Sequence, residues 1–409
     1  MRIALLTHYY EPEIGAPQKR WSGLVREFVG RGHSVAVCAP VPHYPHRSAS
    51  ALAVARQPLW PWRDGRNGER VLRVPYAPTS GSLPGQLFDQ TVSSAASGVA
   101  LIAMRRNPPD VVVSTAPGLP MPFAAAAIAS VLRVPHVAEV RDAWPDLIKD
   151  ASLVTGSLGG RVPGVLAEWL ETTGLPGAFH SALRQADALV TTTESFADQL
   201  RERSMPPVTV VRNTSAVSGD ALPTPSRSRG SGLNILYAGT VGRSQGLDAV
   251  VRVVAALDGV RLRIVGAGAQ WDELRAAAAE TTDRIEFYPQ MSGEDLEAQW
   301  AWAHTGLVSL AENPSFERTI PSKLVSIMAR GTHVTGVVAG EAAQVIHDSA
   351  AGRVVSPGDE DELKGALSEL RDDPHTTEVG ERPRQWVREH ASPEAAAQTY
   401  LQLLQDVIR

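Results

Sequence analysis

Apolar positions gather in short runs separated by stretches of helical spacing. RIALLTHYY, a helical stretch from about Gln18 to Arg31, and HSVAVCAP come first, and further strand-type runs follow at RVLRVPY, DVVVST, HVAEVRD, ALVTTT and PVTVVRN. This alternation predicts right-handed βαβ units and a parallel sheet covered by helices on both faces. Together these segments complete a doubly wound α/β domain over residues 1–215. After Asn213 the periodicity stops in VSGDALPTPSRSRGSG, a Ser/Gly/Pro-rich stretch that reads as a flexible link over 216–231.

The pattern restarts at LNILYAGT, a helix from about Leu247 to Leu257, and VRLRIVGAG, and it continues through RIEFYP, TGLVSL, THVTGVV and GRVVS. A second Rossmann-like sheet over 232–384 is predicted. The last stretch places Trp386, Tyr400, Leu401, Leu403, Leu404 and Val407 at helical spacings, so a helix over about 385–409 is expected. In two-domain enzymes of this kind, such a helix often returns to the first domain. The length of 409 residues suits two domains of about 150 to 200 residues.

Composition narrows the partners. Apolar residues at 43% and charged residues at 20% describe an ordinary cored chain. A net charge of −5 gives no long-range pull on phosphate backbones, so nucleic acid is excluded as the expected partner and small molecules are favoured. Cys38, the single cysteine, rules out an internal disulfide and reads as core packing in a reducing cytosol. The four-residue apolar run near the N-terminus is too short for a signal-peptide core. Residues 111–132 are uncharged, but Pro117, Pro120 and Pro122 favour a strand, a turn and an Ala-rich helix over a membrane span.

Chemistry is expected beyond the carboxyl ends of strands, where loops and helix starts present N–H groups. The first such loop sets Gly15 and Ala16 before a helix, without the spacing or acidic partner of a dinucleotide site. EVRDAWPD gathers Glu139, Arg141, Asp142, Trp144 and Asp146. Arg141 and Asp142 either pair to fix their loop, or hold acceptor oxygens and accept a proton from an acceptor hydroxyl. YAGTVGRSQG and IVGAGAQ are glycine-bearing strand ends that together suit a diphosphate. The sharpest segment is LAENPSFERTIPSKLVSIMARG, where Pro321, Ser322 and Lys323 open a helix after a loop carrying Glu312, Glu317 and Arg318. Such a start directs a positive dipole and a full charge at an anion. An ordinary helix start near Ser322 is the plain alternative.

These segments, in order from YYEPEIGAPQKR and VPHYP through EVRDAWPD, YAGTVGRSQGLD, VGAG and IPSKL to GEAA and SPGD, resemble the retaining family 4 glycosyltransferases. The similarity is greatest to bacterial colanic acid, O-antigen and exopolysaccharide transferases. The resemblance implies the GT-B fold, in which two Rossmann-like domains face each other across a cleft. It further implies a nucleotide-sugar donor (UDP- or GDP-linked) in the second domain, an acceptor against the first, no cofactor and no required metal. The implied donor set is Gly239, Arg243, Gln245, Gly246, Gly266, Gly268, Met291, Glu312, Glu317, Arg318, Pro321, Ser322, Lys323 and Ser326. The acceptor set is Gly15, Ala16, Arg20, Glu139 and Trp144, with Asp142, Arg141, Lys323 and Arg243 as catalytic groups.

Three motifs depart from the family. Alignment on Met328-Ala329-Arg330-Gly331 puts Arg318 and Ser326 where two glutamates normally stand. Thr240 and Gln245 take the places of the diphosphate-binding cations, and no histidine matches the family's position near Ser114 and Thr115. A lipid-linked glycan or a natural product remains open as acceptor, as do a nucleotide-sugar epimerase and a catalytically silent binder. QPLWPWRDGRNGERVLRV, with Trp60 and Trp62 among arginines, reads as a membrane-surface element or as a solvated loop leading into a strand, and the apolar insertion from about Ala151 to His180 reads as a membrane or acceptor-binding element or as core packing. The expected location is cytoplasmic, extending to the inner face of the membrane.

Overall fold

A computed structural model describes residues 1–13, 15–43, 61–77, 83–116, 118, 120–141, 163–217, 232–281 and 283–409. Asp142, Trp144, Asp146, Trp60, the arginine at 56 and most of the Ser/Gly/Pro-rich link lie outside these residues. The chain forms two compact units, Met1–Arg212 with Pro393–Arg409, and Asn213–Ser392.

The first unit runs β1 (Arg2–Leu6), α1 (Ala16–Gly30), β2 (Ser34–Pro40), β3 (Arg63–Asp64), β4 (Arg70–Val74), α2 (Leu83–Ile102), β5 (Val111–Thr115), α3 (Met121–Leu132) and β6 (His136–Glu139). It continues with α4 (Gly164–Trp169), a π-helical turn, α5 (Leu175–Leu183), β7 (Ala188–Thr191), α6 (Glu194–Glu202) and β8 (Val208–Val210). The sheet order is β3-β4-β2-β1-β5-β6-β7-β8. Ile3, Leu5 and Leu6 in β1 and Val111 to Val113 in β5 are buried on both faces, as near-continuous apolar runs in a parallel sheet should be.

Two expectations are corrected here. The stretch before β4 is not simply a loop: Arg63–Asp64 pairs antiparallel with Arg70–Val71 through a Gly65–Gly68 turn. Trp62 packs against the Leu6, Cys38 and Leu72 cluster instead of standing free beside the arginines. The terminal helix is two helices. Pro393 opens the second, because proline is favoured at a first helical position and the residue before it is pushed out of helical geometry.

The second unit runs β9 (Leu233–Thr240), α7 (Leu247–Ala255), β10 (Val260–Ala267), α8 (Trp271–Thr281), β11 (Ile285–Pro289), α9 (Glu294–Trp302), β12 (Thr305–Ser309) and α10 (Ser322–Arg330). It ends with β13 (His333–Val337), α11 (Gly340–Asp348), β14 (Gly352–Val355), α12 (Glu360–Asp372) and α13 (Arg382–His390). All pairings are parallel in the order β11-β10-β9-β12-β13-β14. The winding reverses between β9 and β12, which places a ligand crevice beyond their carboxyl ends. The final helix, α14 (Pro393–Ile408), belongs to the first unit, where Tyr400 packs edge-on against Trp21 and Phe28 of α1 at centroid distances of 5.7 and 5.8 Å.

Candidate functional site

At the switch point of the second sheet, two loops are tied together. The Ala311 N–H donates to the Ser244 carbonyl at 3.0 Å, and the Ser309 hydroxyl donates to the Gln245 carbonyl at 2.6 Å. Gln245 turns its side-chain oxygen back to the Gly242 N–H at 3.1 Å, so its carboxamide holds the loop. Gly266 and Gly268 sit where β10 passes the backbone of Gly239 and Val241 too closely for a side chain.

Lys323 enters this crevice from the first turn of α10. Its Nζ lies 3.6 Å from the centroid of the Tyr237 ring, is shut off from solvent, and has no hydrogen-bond partner among the described residues. The Tyr237 hydroxyl donates to the Thr240 carbonyl, which fixes the ring beneath the amine. Gly239 leaves room: a Cβ there would stand 3.1 Å from Nζ. Burial pushes the Lys323 amine down to about 7, because a charge removed from water without a counter-charge is disfavoured. An anion would reverse that cost, and the α10 start, which has no side-chain cap, points its dipole the same way.

The other donor candidates divide by exposure. Arg243, Glu312 and Glu317 are exposed, and Arg243 makes no ion pair among the described residues. Gly246, Arg318, Pro321 and Ser322 are partly buried. The Ser326 hydroxyl donates back to the Ser322 carbonyl at 3.2 Å, leaving its oxygen only as an acceptor. Met291 packs against the core cluster around Trp300 and Val308.

In the first unit, Gly15 precedes α1 in extended backbone and Ala16 is exposed at the helix start. Arg141 is partly buried at the mouth of β6, and its carbonyl accepts from the Thr192 hydroxyl at 2.7 Å. Arg20 and Glu139 turn toward each other in the interior. They form a buried bidentate pair, and Arg20 also donates to the carbonyls of Val211 and Arg212. The reason is placement: Arg20 lies on the buried face of α1, and Glu139 ends a central strand.

Ser114 is reached by a histidine after all, His136 of β6, whose Nε2 lies 2.9 Å from the hydroxyl, but both residues are buried. At the mouth of β5 the nearby histidine is His8, which follows β1: a Cβ at Gly118 would lie 3.6 Å from its own Cβ. Sequence reasoning passed over His8, His43, Asp89 and Tyr237. The first two stand in the quoted segments RIALLTHYY and VPHYP; nothing in the sequence around Asp89 or Tyr237 distinguishes them.

Two family models match this chain: a glycosyl transferase 4-like domain over residues 15–214 and glycosyl transferases group 1 over residues 232–373. The chain belongs to the family 4-like GT-B glycosyltransferases. It is 24% identical over 346 residues to WcaI, a colanic acid biosynthesis glycosyl transferase of Escherichia coli K12, covering 81% of this chain and 82% of that protein. Among solved structures, sucrose-phosphate synthase from Thermosynechococcus elongatus superposes with a TM-score of 0.71 at 16% identity, covering 99% of this chain and 98% of that one. Anabaena HepE in complex with UDP-glucose gives 0.66 at 14% identity, covering 99% of this chain and 100% of that one. These structural likenesses speak to the fold of this glycosyltransferase, two parallel-sheet Rossmann-like domains.

Proposed function

We propose that this glycosyltransferase moves a sugar from a nucleoside-diphosphate donor held by its second unit onto an acceptor hydroxyl, with retention at the anomeric carbon. The observation that carries the donor side is the buried, unpartnered Lys323 amine at the switch point. As the bond from the anomeric carbon to the diphosphate breaks, negative charge grows on the leaving oxygen. Lys323, the α10 start and Arg243 are the groups available to stabilise it without a metal, each such oriented donor being typically worth about 3 to 4 kcal/mol. The acceptor oxygen forms the new bond on the face the diphosphate leaves, and the departing phosphate oxygen takes its proton. That route needs no protein base, which accommodates a sequence with no residue matching the family's histidine near Ser114 and Thr115.

The donor is a UDP- or GDP-sugar, and the acceptor a lipid-linked glycan intermediate of cell-surface polysaccharide assembly, with a natural product as the second candidate. The likeness to WcaI supports the glycan reading. Exposed apolar side chains on the first unit support contact with a membrane from the cytoplasmic side: Phe88 and Val99 on α2, and Val165, Leu166 and Trp169 on α4. The helical stretch Gly85–Arg106 is long and apolar enough to cross a membrane, and 44% of its apolar window is buried. A silent nucleotide-sugar binder is the competing reading, favoured by Arg318 and Ser326 at the family's glutamate positions.

Incubation with a panel of UDP-, GDP- and dTDP-sugars tests the proposal. Acceptor-dependent nucleotide release from a UDP- or GDP-sugar is expected. Binding without release supports the silent reading, and conversion of the sugar without acceptor supports an epimerase.

A further inference from the structure

We propose that His8, His43 and Asp89 of the first unit form a binding site for one divalent transition-metal ion of the zinc class. The inference does not rest on the donor reading, since none of these residues belongs to the second unit. His8 follows β1, His43 follows β2 and Asp89 lies on α2, so the three meet beyond the carboxyl ends of the sheet, where ligands collect in doubly wound folds.

The geometry is that of a ligand set. His8 Nε2 lies 3.3 Å and His43 Nε2 3.4 Å from the same Asp89 oxygen, and the three candidate ligand atoms all fall within 4.8 Å of one another. Ligands about 2.0 Å from a tetrahedral zinc stand about 3.3 Å apart, which is the spacing of each histidine nitrogen from Asp89, while the third pair falls within 4.8 Å. The side chains of His8 and Asp89 are 3% exposed and that of His43 is 10% exposed.

The hydrogens point the same way. His43 Nδ1 faces the Val41 carbonyl at 2.8 Å, a pure acceptor, so Nδ1 carries the proton and Nε2 presents a lone pair. The Ser93 hydroxyl spends its hydrogen on the carbonyls of Asp89 and Gln90 at 3.1 and 3.2 Å. Its oxygen then accepts from His8 Nδ1 at 3.1 Å, which leaves the His8 Nε2 lone pair directed at Asp89 as well. Two imidazole nitrogens and a carboxylate oxygen therefore converge, and either a proton or a metal ion among them holds the three together. Outer bonds of this type are what orient histidine ligands in metal sites.

The surroundings complete the shell. The other Asp89 oxygen accepts the Ala77 N–H at 3.0 Å, and the Tyr76 ring stacks on His43 at 4.6 Å and 12°. The His43 N–H donates to Glu13 at 2.6 Å, bringing a second carboxylate close to the cluster. Two imidazoles and one carboxylate suit zinc-class ions over magnesium or calcium, and among the described residues these three ligands leave a fourth position for water or another oxygen ligand.

The test uses the full chain, stripped with a chelator and titrated with zinc chloride by calorimetry and with cobalt(II) by visible absorption. One zinc per chain and a cobalt spectrum of tetrahedral type are expected. His8→Gln, His43→Gln and Asp89→Asn should each weaken the site by at least about tenfold while far-UV circular dichroism is unchanged. Should Asp89→Asn misfold, His43→Gln at the rim decides alone. The absence of saturable zinc binding to the parent protein, or affinity undiminished in His43→Gln, overturns the proposal and shows that protons alone satisfy the cluster. UDP affinity, measured on the same samples, reports separately on the donor site.

Discussion

Arg20 and Glu139, 119 positions apart in sequence, face each other through two N–H···O bonds of 3.1 Å in the interior of the first unit. The pair joins α1 to the end of β6, and through the carbonyls of Val211 and Arg212 it also holds the chain leaving β8. Removing one partner strands a buried charge. Arg20→Ala is therefore expected to lower stability by about 3 to 5 kcal/mol, read by urea unfolding. An unchanged midpoint with weakened acceptor binding would instead return Arg20 to the acceptor site.

The Lys323 amine gives a proton-linked prediction. Its native value of about 7 lies below the ordinary 10.5, so the folded apo protein holds it largely neutral between those pH values, where the unfolded chain is protonated. Its contribution to stability therefore falls as pH drops through that window. A bound diphosphate restores the charge. UDP binding should then take up a proton and weaken as pH rises, seen as calorimetric heats that depend on buffer ionisation enthalpy. In Lys323→Met that dependence should vanish.

His136 sets an acid limit. Burial pushes its imidazole down to about 4 from the ordinary 6.5, against the pull of Asp187. The neutral ring is retained in the fold while the unfolded chain takes a proton, so stability is complete above the higher value and falls as pH drops toward the lower. The loss should reach at most about 3 kcal/mol. Unfolding midpoints in guanidinium from pH 7 to pH 4 measure it, and His136→Gln should flatten the slope.

Gly340 braces the loop that precedes α10. Its φ is +62°, and a Cβ there would meet the Glu317 carbonyl oxygen at 2.0 Å, an obstacle of backbone that cannot swing aside. Gly340→Ala should cost about 1 to 3 kcal/mol from the backbone conformation alone, with displacement of the Phe316–Arg318 turn added to it. Thermal unfolding reads the first effect and UDP affinity the second.

The strands were legible because each is an apolar run wedged between helices: every strand of the second sheet falls on a segment with that pattern. Arg63–Asp64 escaped because two charged residues carry no alternation, and the split at Ala391–Ser392 because helical spacing continues in register across it. At the site, Lys323 stood out as one of four lysines in the chain and through its place at a helix start. Tyr237 beneath it could not be seen, since a tyrosine inside an apolar strand reads as core. Arg20 and Glu139 misled for a physical reason: a charge at a strand end looks solvated until its partner on a distant helix is known.

The central claim is that the buried amine of Lys323 carries the leaving diphosphate. The most direct measurement is the transfer rate of Lys323→Ala with a UDP- or GDP-sugar and acceptor, alongside its circular dichroism spectrum. A folded protein with a loss of more than about a hundredfold is expected. Near-normal turnover in a folded Lys323→Ala protein would contradict the account.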